Sequence, residues 1–463
     1  MRLRTALAGV LALSSAGSAL AQTAPVPTDR MDQFEKRLAE LESRYKADLK
    51  ARDDEIARLR ALVEKQQAET PQPATRPNSV FSPATRPDDV AKVTQDLLKD
   101  IEARQAPPAI PRTPASFNPD FAVVGDWRGN VSTRNDNPAR NRFDLGSVEL
   151  DLRAAVDPRA DAVVILPVSR DVEDPLFFNA AEASGKVDTS IDIEEAYVFL
   201  HDFGVPNLTA KLGRFHLRFG RWNQLHLHNW PTVDNAFAVQ SFLGPESLND
   251  SGLSLSYVIP PKLVGGEYIE VVAEIISGEG GDESPILNND AFIDGPALNT
   301  HILWNHDLNK EWNLELGASW LYGKHNNDNQ QDAHLFGADF TLLHTDPTGR
   351  FNNQLFQTEL FYGNVDSSRM ETQHSWGAYV LAQQQLNRDW YLGTRLDWAQ
   401  DALDDRRQTW GVSPYVSWYL SEFLRLRLEY QHRGGDVPDE DILWFQATFT
   451  FGAHPPHPYW ATR

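Results

Sequence analysis

The sequence predicts an all-β fold, an antiparallel transmembrane β-barrel of about sixteen strands, preceded by an α-helical coiled-coil stalk. From Phe121 onward, apolar and polar residues alternate in segments of about ten residues, long enough for a tilted strand to cross a bilayer. The connections between these segments alternate short and long, as in outer-membrane barrels. Trp and Tyr recur near the segment ends, which is typical of interfacial girdles.

Composition excludes several classes of function. The 463 residues include no cysteine, so disulfides and thiolate metal sites are excluded. The formal net charge of -22 argues against nucleic acid as a partner. No nucleophile–base constellation, phosphate-binding glycine loop or spaced carboxylate pair is present, so we expect a protein that is not an enzyme.

The N-terminus has the pattern of a secretory signal peptide over residues 1–21. Arg2 and Arg4 form a positive region, residues 6–13 are mostly apolar, and Ala19-Leu20-Ala21 is a small-x-small cleavage site. The apolar stretch is too short to indicate a spanning helix.

Residues 22–67 are predicted to form the coiled-coil stalk. Apolar residues recur at steps of three and four from Met31 to Val63, with one extra step of four that indicates a stutter. The stalk would join chains, most simply as a homotrimer, and the alternative is a single solvated helix. Residues 68–118 are a Pro-rich linker with one short amphipathic helix over residues 87–104.

Residues 119–463 are assigned to the barrel. In one strand Leu424, Leu426 and Leu428 alternate with Arg425 and Arg427, so one face is apolar and the other charged. An even strand number puts both barrel ends on the periplasmic side. The stalk would then lie in the periplasm, where it could also contact the cell wall.

The strand that enters the longest loop of the second half changes phase at a glycine. Leu208, Ala210 and Leu212 are apolar before Gly213, and apolar residues then fall on odd positions from Phe215. This predicts a β-bulge that turns later basic residues toward the lumen. The predicted pore-lining residues are Lys211, Arg214, His216, Arg218, Arg221, Glu149, Asp151 and Arg153. Two interpretations stay open, an electrostatic filter for anionic or zwitterionic solutes and a lumen wall balanced by its acids.

Residues 221–249 form a loop too apolar to extend into water, so we expect it to fold into the barrel as a constriction. Its candidate residues are Trp222, Asn223, His226, His228, Trp230 and Asp234. His226, His228 and Asp234 could bind Zn²⁺ or a similar ion, with His216 completing the set. The alternative is that the histidines brace the loop by hydrogen bonds. His454 and His457 are a second, weaker candidate pair.

The run 212–260 resembles zinc-regulated outer-membrane porins or receptors of Gram-negative bacteria. The shared positions are Gly213, Arg214, Phe215, Gly220, Asn223, His226, His228, Val233, Asp234, Phe242, Leu243, Gly244, Asp250, Gly252, Leu253 and Leu255. More distantly, the barrel with its coiled coil is similar to trimeric porins. The resemblance implies an outer-membrane channel and makes metal involvement plausible, whereas "zinc-regulated" describes the expression of relatives.

We therefore expect an outer-membrane porin for passive diffusion of small hydrophilic or anionic solutes through a loop-constricted lumen. Its partners would be outer-membrane lipid, small solutes and two further copies of the chain. The first alternative is a barrel that binds or imports zinc or another metal ion. The second is a structural tether between outer membrane and cell wall. No cofactor is expected apart from the candidate Zn²⁺.

Overall fold

The computed structural model describes residues 120–452, except 136, 138, 173–186, 202–203, 279–283, 288–295, 326–330, 350 and 367–371. The predicted signal peptide, stalk, linker helix and histidine tail lie outside the described residues. Among the residues that are described, none of the helices is long and apolar enough to cross a membrane.

Within the described residues, seventeen strand segments make up the sheet. Their bounds are β1 Asp120–Ser132, β2 Phe143–Asp157, β3 Ala160–Val172, β4 Val187–Ile191, β5 Glu195–Leu200, β6 Leu208–His216, β7 Asn249–Val258, β8 Tyr268–Ile276, β9 Ala297–Asp307, β10 Trp312–Lys324, β11 Asp332–His344, β12 Gln354–Val365, β13 Gln373–Gln385, β14 Trp390–Asp401, β15 Asp404–Ser421, β16 Leu424–Gly435 and β17 Glu440–Gly452.

The sheet closes on itself. Apart from β4 and β5, each strand pairs antiparallel with its neighbours in sequence, and β17 pairs with β1 from Ala122↔Gly452 to Ser132↔Ile442. β4 and β5 both pair with β3, one after the other along its length, so together they fill one position in the ring. The ring therefore has sixteen positions, and the predicted barrel of about sixteen strands is confirmed. Closure leaves the sheet without an exposed edge.

The outer face of the ring is apolar and the inner face carries the charges. β14 illustrates this: Leu392 and Leu396 are each 50% exposed, whereas Arg395 and Asp397 between and beside them are 0% and 5% exposed. A water-soluble sheet places its polar face outward. The reversed pattern suits a barrel whose outside contacts lipid and whose lumen is polar.

Tryptophans mark both ends of this apolar band. Trp390 stacks on Trp418 at 5.3 Å between ring centroids, beside the turn that precedes β14. Trp398 pairs with Trp410 across β14 and β15, eight residues further along the strand. Eight residues of a strand span about 26 Å at about 3.3 Å each. Because the strands of such barrels tilt by about 40° from the barrel axis, this length corresponds to about 20 Å along that axis. This spacing is close to the height of the apolar band in outer-membrane barrels.

β6 differs from the sequence prediction. It pairs with β7 in unbroken register from Leu208↔Tyr257 to His216↔Asn249, so the predicted bulge at Gly213 is wrong. Phe215, Leu217 and Phe219 are each 0% exposed and belong to the main apolar core. The phase change arises because the chain leaves the wall after His216, and the later apolar residues pack inside the ring.

Candidate functional site in the lumen

Residues 217–248 fold into the ring and pack against its inner wall. The segment contains two short 3₁₀ helices, Trp222–Gln224 and Leu227–Asn229, and the helix α1, Phe237–Leu243. Trp222 packs edge-on against Tyr379 of β13 at 5.0 Å between ring centroids. Phe242 stacks on Phe361 of β12 at 5.9 Å. These contacts create an apolar core inside a barrel whose other lumen-facing residues are largely polar.

Carboxylates of the barrel wall hold the backbone of this lumen loop, because they accept hydrogen bonds from its N–H groups. The contacts come from strands around the ring: His216 N to Glu195 Oε1 at 3.0 Å, Arg218 N to Glu274 Oε2 at 3.1 Å, Trp222 N to Glu359 Oε1 at 2.7 Å, Val233 N to Glu429 Oε2 at 2.8 Å and Phe237 N to Asp397 Oδ1 at 3.1 Å. Buried N–H groups need a partner when no other backbone is in reach. The wall acids supply it.

Arginines of the barrel wall hold the same loop by donating hydrogen bonds to its backbone carbonyl groups. Arg425 Nη2 donates to His228 O at 2.9 Å, and Arg427 Nη2 donates to Trp230 O at 3.0 Å. Arg395 Nη1 donates to Asp234 O at 2.8 Å. Hydrogen bonds to charged groups contribute about 1.5–3 kcal/mol each. The loop is thus fixed to the wall at many separate points.

The neck of the loop is closed by Asn223, which is 1% exposed. Its Nδ2 donates to Leu217 O and Leu248 O, both at 2.9 Å, and its Oδ1 accepts from Leu248 N at 2.6 Å. This one side chain therefore joins the backbone segment that enters the lumen to the segment that leaves it. Trp230 braces the loop in a similar way, because its Nε1 donates to Leu225 O at 3.1 Å.

The predicted basic residues mostly lie beside acids. Arg218 Nη2 is 2.6 Å from Glu270 Oε2, Arg221 Nε is 3.8 Å from Glu315 Oε1, and Arg153 is 2.8 Å from Asp151. Lys211 Nζ lies 4.6 Å from the ring centroid of Tyr197. Arg214 is half-buried on β6, paired in register with Ser251. Of the two interpretations left open, this pairing favours the balanced wall over a net anion filter.

The predicted metal ligands are divided between two places. Asp234 lies against Arg395 at 2.8 Å and accepts from Gln431 Nε2 at 2.6 Å, so the structure does not bring it to the histidines. His228 Nδ1 lies 2.8 Å from Glu149 Oε2. His226 and His216 instead meet at Glu194, whose Oε1 is 3.1 Å from His226 Nδ1 and 3.0 Å from His216 Nε2.

The two loop histidines stack, and their pKa values shift in opposite directions. Their rings are 5.8 Å apart and nearly parallel. Burial acts to lower the pKa of His226, but attraction to Glu194 and hydrogen bonds to Glu194 and Glu195 outweigh it, so its pKa lies well above the usual value. Burial, with repulsion from His226 adding to it, lowers the pKa of His228 to about 3. His228 is therefore the neutral ring of the pair at neutral pH.

Sequence reasoning missed most of the residues that hold the loop. They are Glu195, Glu274, Glu359, Arg395, Asp397, Arg425, Arg427 and Glu429. Each occupies a charged position in a strand where apolar and charged residues alternate. This alternation could have identified the inner face of the barrel, but it does not identify the loop atom that each side chain contacts.

Comparisons with known proteins find similar proteins but do not establish a family for this chain. No protein-family model matches the chain. An uncharacterized protein of Aquifex aeolicus strain VF5 is 26% identical over 360 residues, which cover 68% of this chain and 70% of that protein. The resemblance to zinc-regulated outer-membrane porins or receptors therefore stays an expectation.

Three solved barrels are similar over 72% of this chain. An anion-selective porin from Comamonas acidovorans has a TM-score of 0.49 at 10% identity, with 99% of that chain covered. OprB of Pseudomonas putida has 0.47 at 11%, with 94% covered. OmpT, an outer membrane protein of Vibrio cholerae, in a trimer form, has 0.45 at 10%, with 99% covered. The barrel architecture described above rests on this chain's own strand pairing.

Proposed function

We propose that the chain is an outer-membrane porin through which small hydrophilic solutes diffuse passively, past a constriction made by the lumen loop. The observation that carries the proposal is the reversed alternation, with leucine and tryptophan outside the closed ring and charged side chains inside it. Such a ring places its apolar band in lipid and offers polar solutes a charged interior. The predicted localisation in the outer membrane, with the stalk in the periplasm, belongs to the same proposal.

Opposite charges face each other across the lumen. β8 is the seventh and β16 the fifteenth of the sixteen ring positions, so eight positions separate them in either direction. Glu270 and Glu274 are buried on β8, whereas β16 carries three buried arginines, Arg425, Arg427 and Arg433, and one buried acid, Glu429. A field across the lumen orients dipolar and zwitterionic solutes. It supports passage of small polar solutes in general more than selection for anions.

Conductance of the purified full chain in planar bilayers tests the proposal. We expect stepwise current increases in salt solution, which a mock preparation from cells lacking the chain does not produce. A folded, heat-modifiable chain that gives no steps over the noise overturns it.

Ion selectivity tests the charged wall separately. Glu270→Gln removes one lumen carboxylate and releases Arg218 from its ion pair, so the reversal potential in a KCl gradient should shift toward chloride. Glu267→Gln is the matched control, because Glu267 pairs with His306 at 2.8 Å and is 31% exposed. Equal shifts in the two variants would contradict a selective role for the β8 wall.

A further inference from the structure

We propose that Glu194, His216 and His226 form a binding site for a divalent transition-metal ion such as Zn²⁺, with Glu195 orienting both histidines. This site differs from the set predicted from sequence, because Glu194 and His216 take the places of Asp234 and His228. It does not depend on the porin function, since a barrel that conducts nothing could still bind the ion.

The ligand atoms are already gathered. Among the described residues, one nitrogen from each histidine and one Glu194 oxygen all lie within 4.8 Å of one another. Zinc–nitrogen and zinc–oxygen bonds of about 2.1 Å in a tetrahedron separate ligand atoms by about 3.4 Å. The measured 3.0 Å and 3.1 Å from Glu194 to the two rings are close to that spacing.

The donor set indicates the class of ion. Two imidazoles and a carboxylate, with no thiolate in the chain, suit Zn²⁺ and its neighbours more than Ca²⁺ or Mg²⁺, which prefer oxygen ligands. Three protein ligands leave a position for water or a fourth group. The carboxyl groups of Glu194 and Glu195 both lie beside the ligand nitrogen atoms, which favours a cation at this place.

Glu195 supplies the outer shell that metal-binding histidines require. His226 Nε2 lies 3.4 Å from Glu195 Oε2, while its Nδ1 faces Glu194. The other Glu195 oxygen accepts the backbone N–H of His216 at 3.0 Å. One buried carboxylate thus fixes the ring of one ligand and the backbone of the other. Partners of this kind orient metal ligands and tune their affinity.

Two further observations point to a ligand. The side chain of His216 is 4% exposed, and its Nδ1 has no hydrogen-bond partner among the described residues. A buried polar atom without a partner is costly, and this nitrogen is available to an ion. Glu194 and His226 side chains are each 15% exposed, so an ion can reach the cluster. The site joins the wall, through Glu194 before β5, to the loop, through His226.

Titration calorimetry of the refolded full chain, stripped with chelator and probed with ZnCl₂ alone, tests the site. Wild type should bind one ion per chain. Glu194→Gln, which keeps shape and removes the charged ligand, should weaken binding by at least about 100-fold, and Glu195→Gln by about 10–100-fold. Glu267→Gln, which alters another His–Glu pair, should leave the affinity unchanged.

Cobalt gives a second readout that a structural role for the cluster would not move. Co²⁺ bound to wild type should show the visible absorption of a four-coordinate nitrogen and oxygen site, and the His216→Gln variant should lose it. No zinc binding by folded wild type, or equal affinity in wild type and Glu194→Gln, overturns the proposal. Conductance measured in chelator reports on the porin function independently of either result.

Discussion

Gly213 lies within β6, three residues before the chain leaves the wall for the lumen. Its φ is +134°, and a Cβ added there would lie 2.1 Å from Ala196 O of β5. Glycine is required for both reasons, since other residues avoid positive φ and no side chain fits against a neighbouring backbone. Gly220 has a similar role, because a Cβ there would lie 2.0 Å from Glu359 Oε2, the acid that holds the loop.

We expect Gly213→Ala to destabilise the barrel by more than the roughly 1–2 kcal/mol that an unfavourable φ alone costs, because the backbone of β5 must also move. Urea unfolding in detergent micelles measures this. Gly265→Ala is the control, since Gly265 has φ +73° but nothing within 4 Å of an added Cβ. Equal losses in the two variants would show that close packing at Gly213 is unimportant.

At the scale of elements, the helix α1 packs against glycines of the barrel wall. A Cβ at Gly363 would come 2.8 Å from a ring carbon of Phe242, and one at Gly377 would come 2.9 Å from both Phe242 and Ala238. These two glycines of β12 and β13 leave space in the wall for the helix. The packing supports a short helix whose N-cap residue, Ala236, makes no side-chain hydrogen bond of its own.

Phe242→Ala should remove this anchor, at a cost of about 3–5 kcal/mol for a buried phenylalanine, and should widen the lumen. Single-channel conductance should therefore rise, with more frequent current fluctuations. Phe336→Ala is the control, because Phe336 lies on the outer face of β11 and is 45% exposed. An unchanged conductance in Phe242→Ala would mean that α1 does not border the conducting path.

The elements also show where sequence reasoning ends. Alternation identified the strands because burial on one face is a local, period-two property. It failed beyond Gly213, where an apolar residue can face lipid or the loop core with the same pattern. It also could not pair His226 with Glu194, which is 32 positions away in sequence. Such partners are set by the curvature of the ring, which brings the β5 wall and the loop together.

At the scale of the whole molecule, the fold class followed from composition and period, whereas the predicted coiled coil over residues 31–63 lies outside the described residues. The apolar steps of three and four in that stretch predict a coiled coil, and the barrel that follows makes a homotrimer the expected form. Deleting residues 31–63 should leave the heat-modifiable barrel intact but reduce the mass of the detergent-solubilised complex, measured by light scattering. A trimer that persists after the deletion would place the contacts between chains on the barrel itself.

The hydrogen bonds from the wall to the loop have a mechanical consequence. A barrel held only by its strand ladders can flatten toward an ellipse, since bending the sheet breaks no ladder bond. Here the loop ties Glu195, Glu274, Glu359, Asp397 and Glu429, which lie at widely separated points of the circumference. Flattening in any direction must stretch some of these hydrogen bonds, so the loop acts as a cross-brace that resists deformation of the ring.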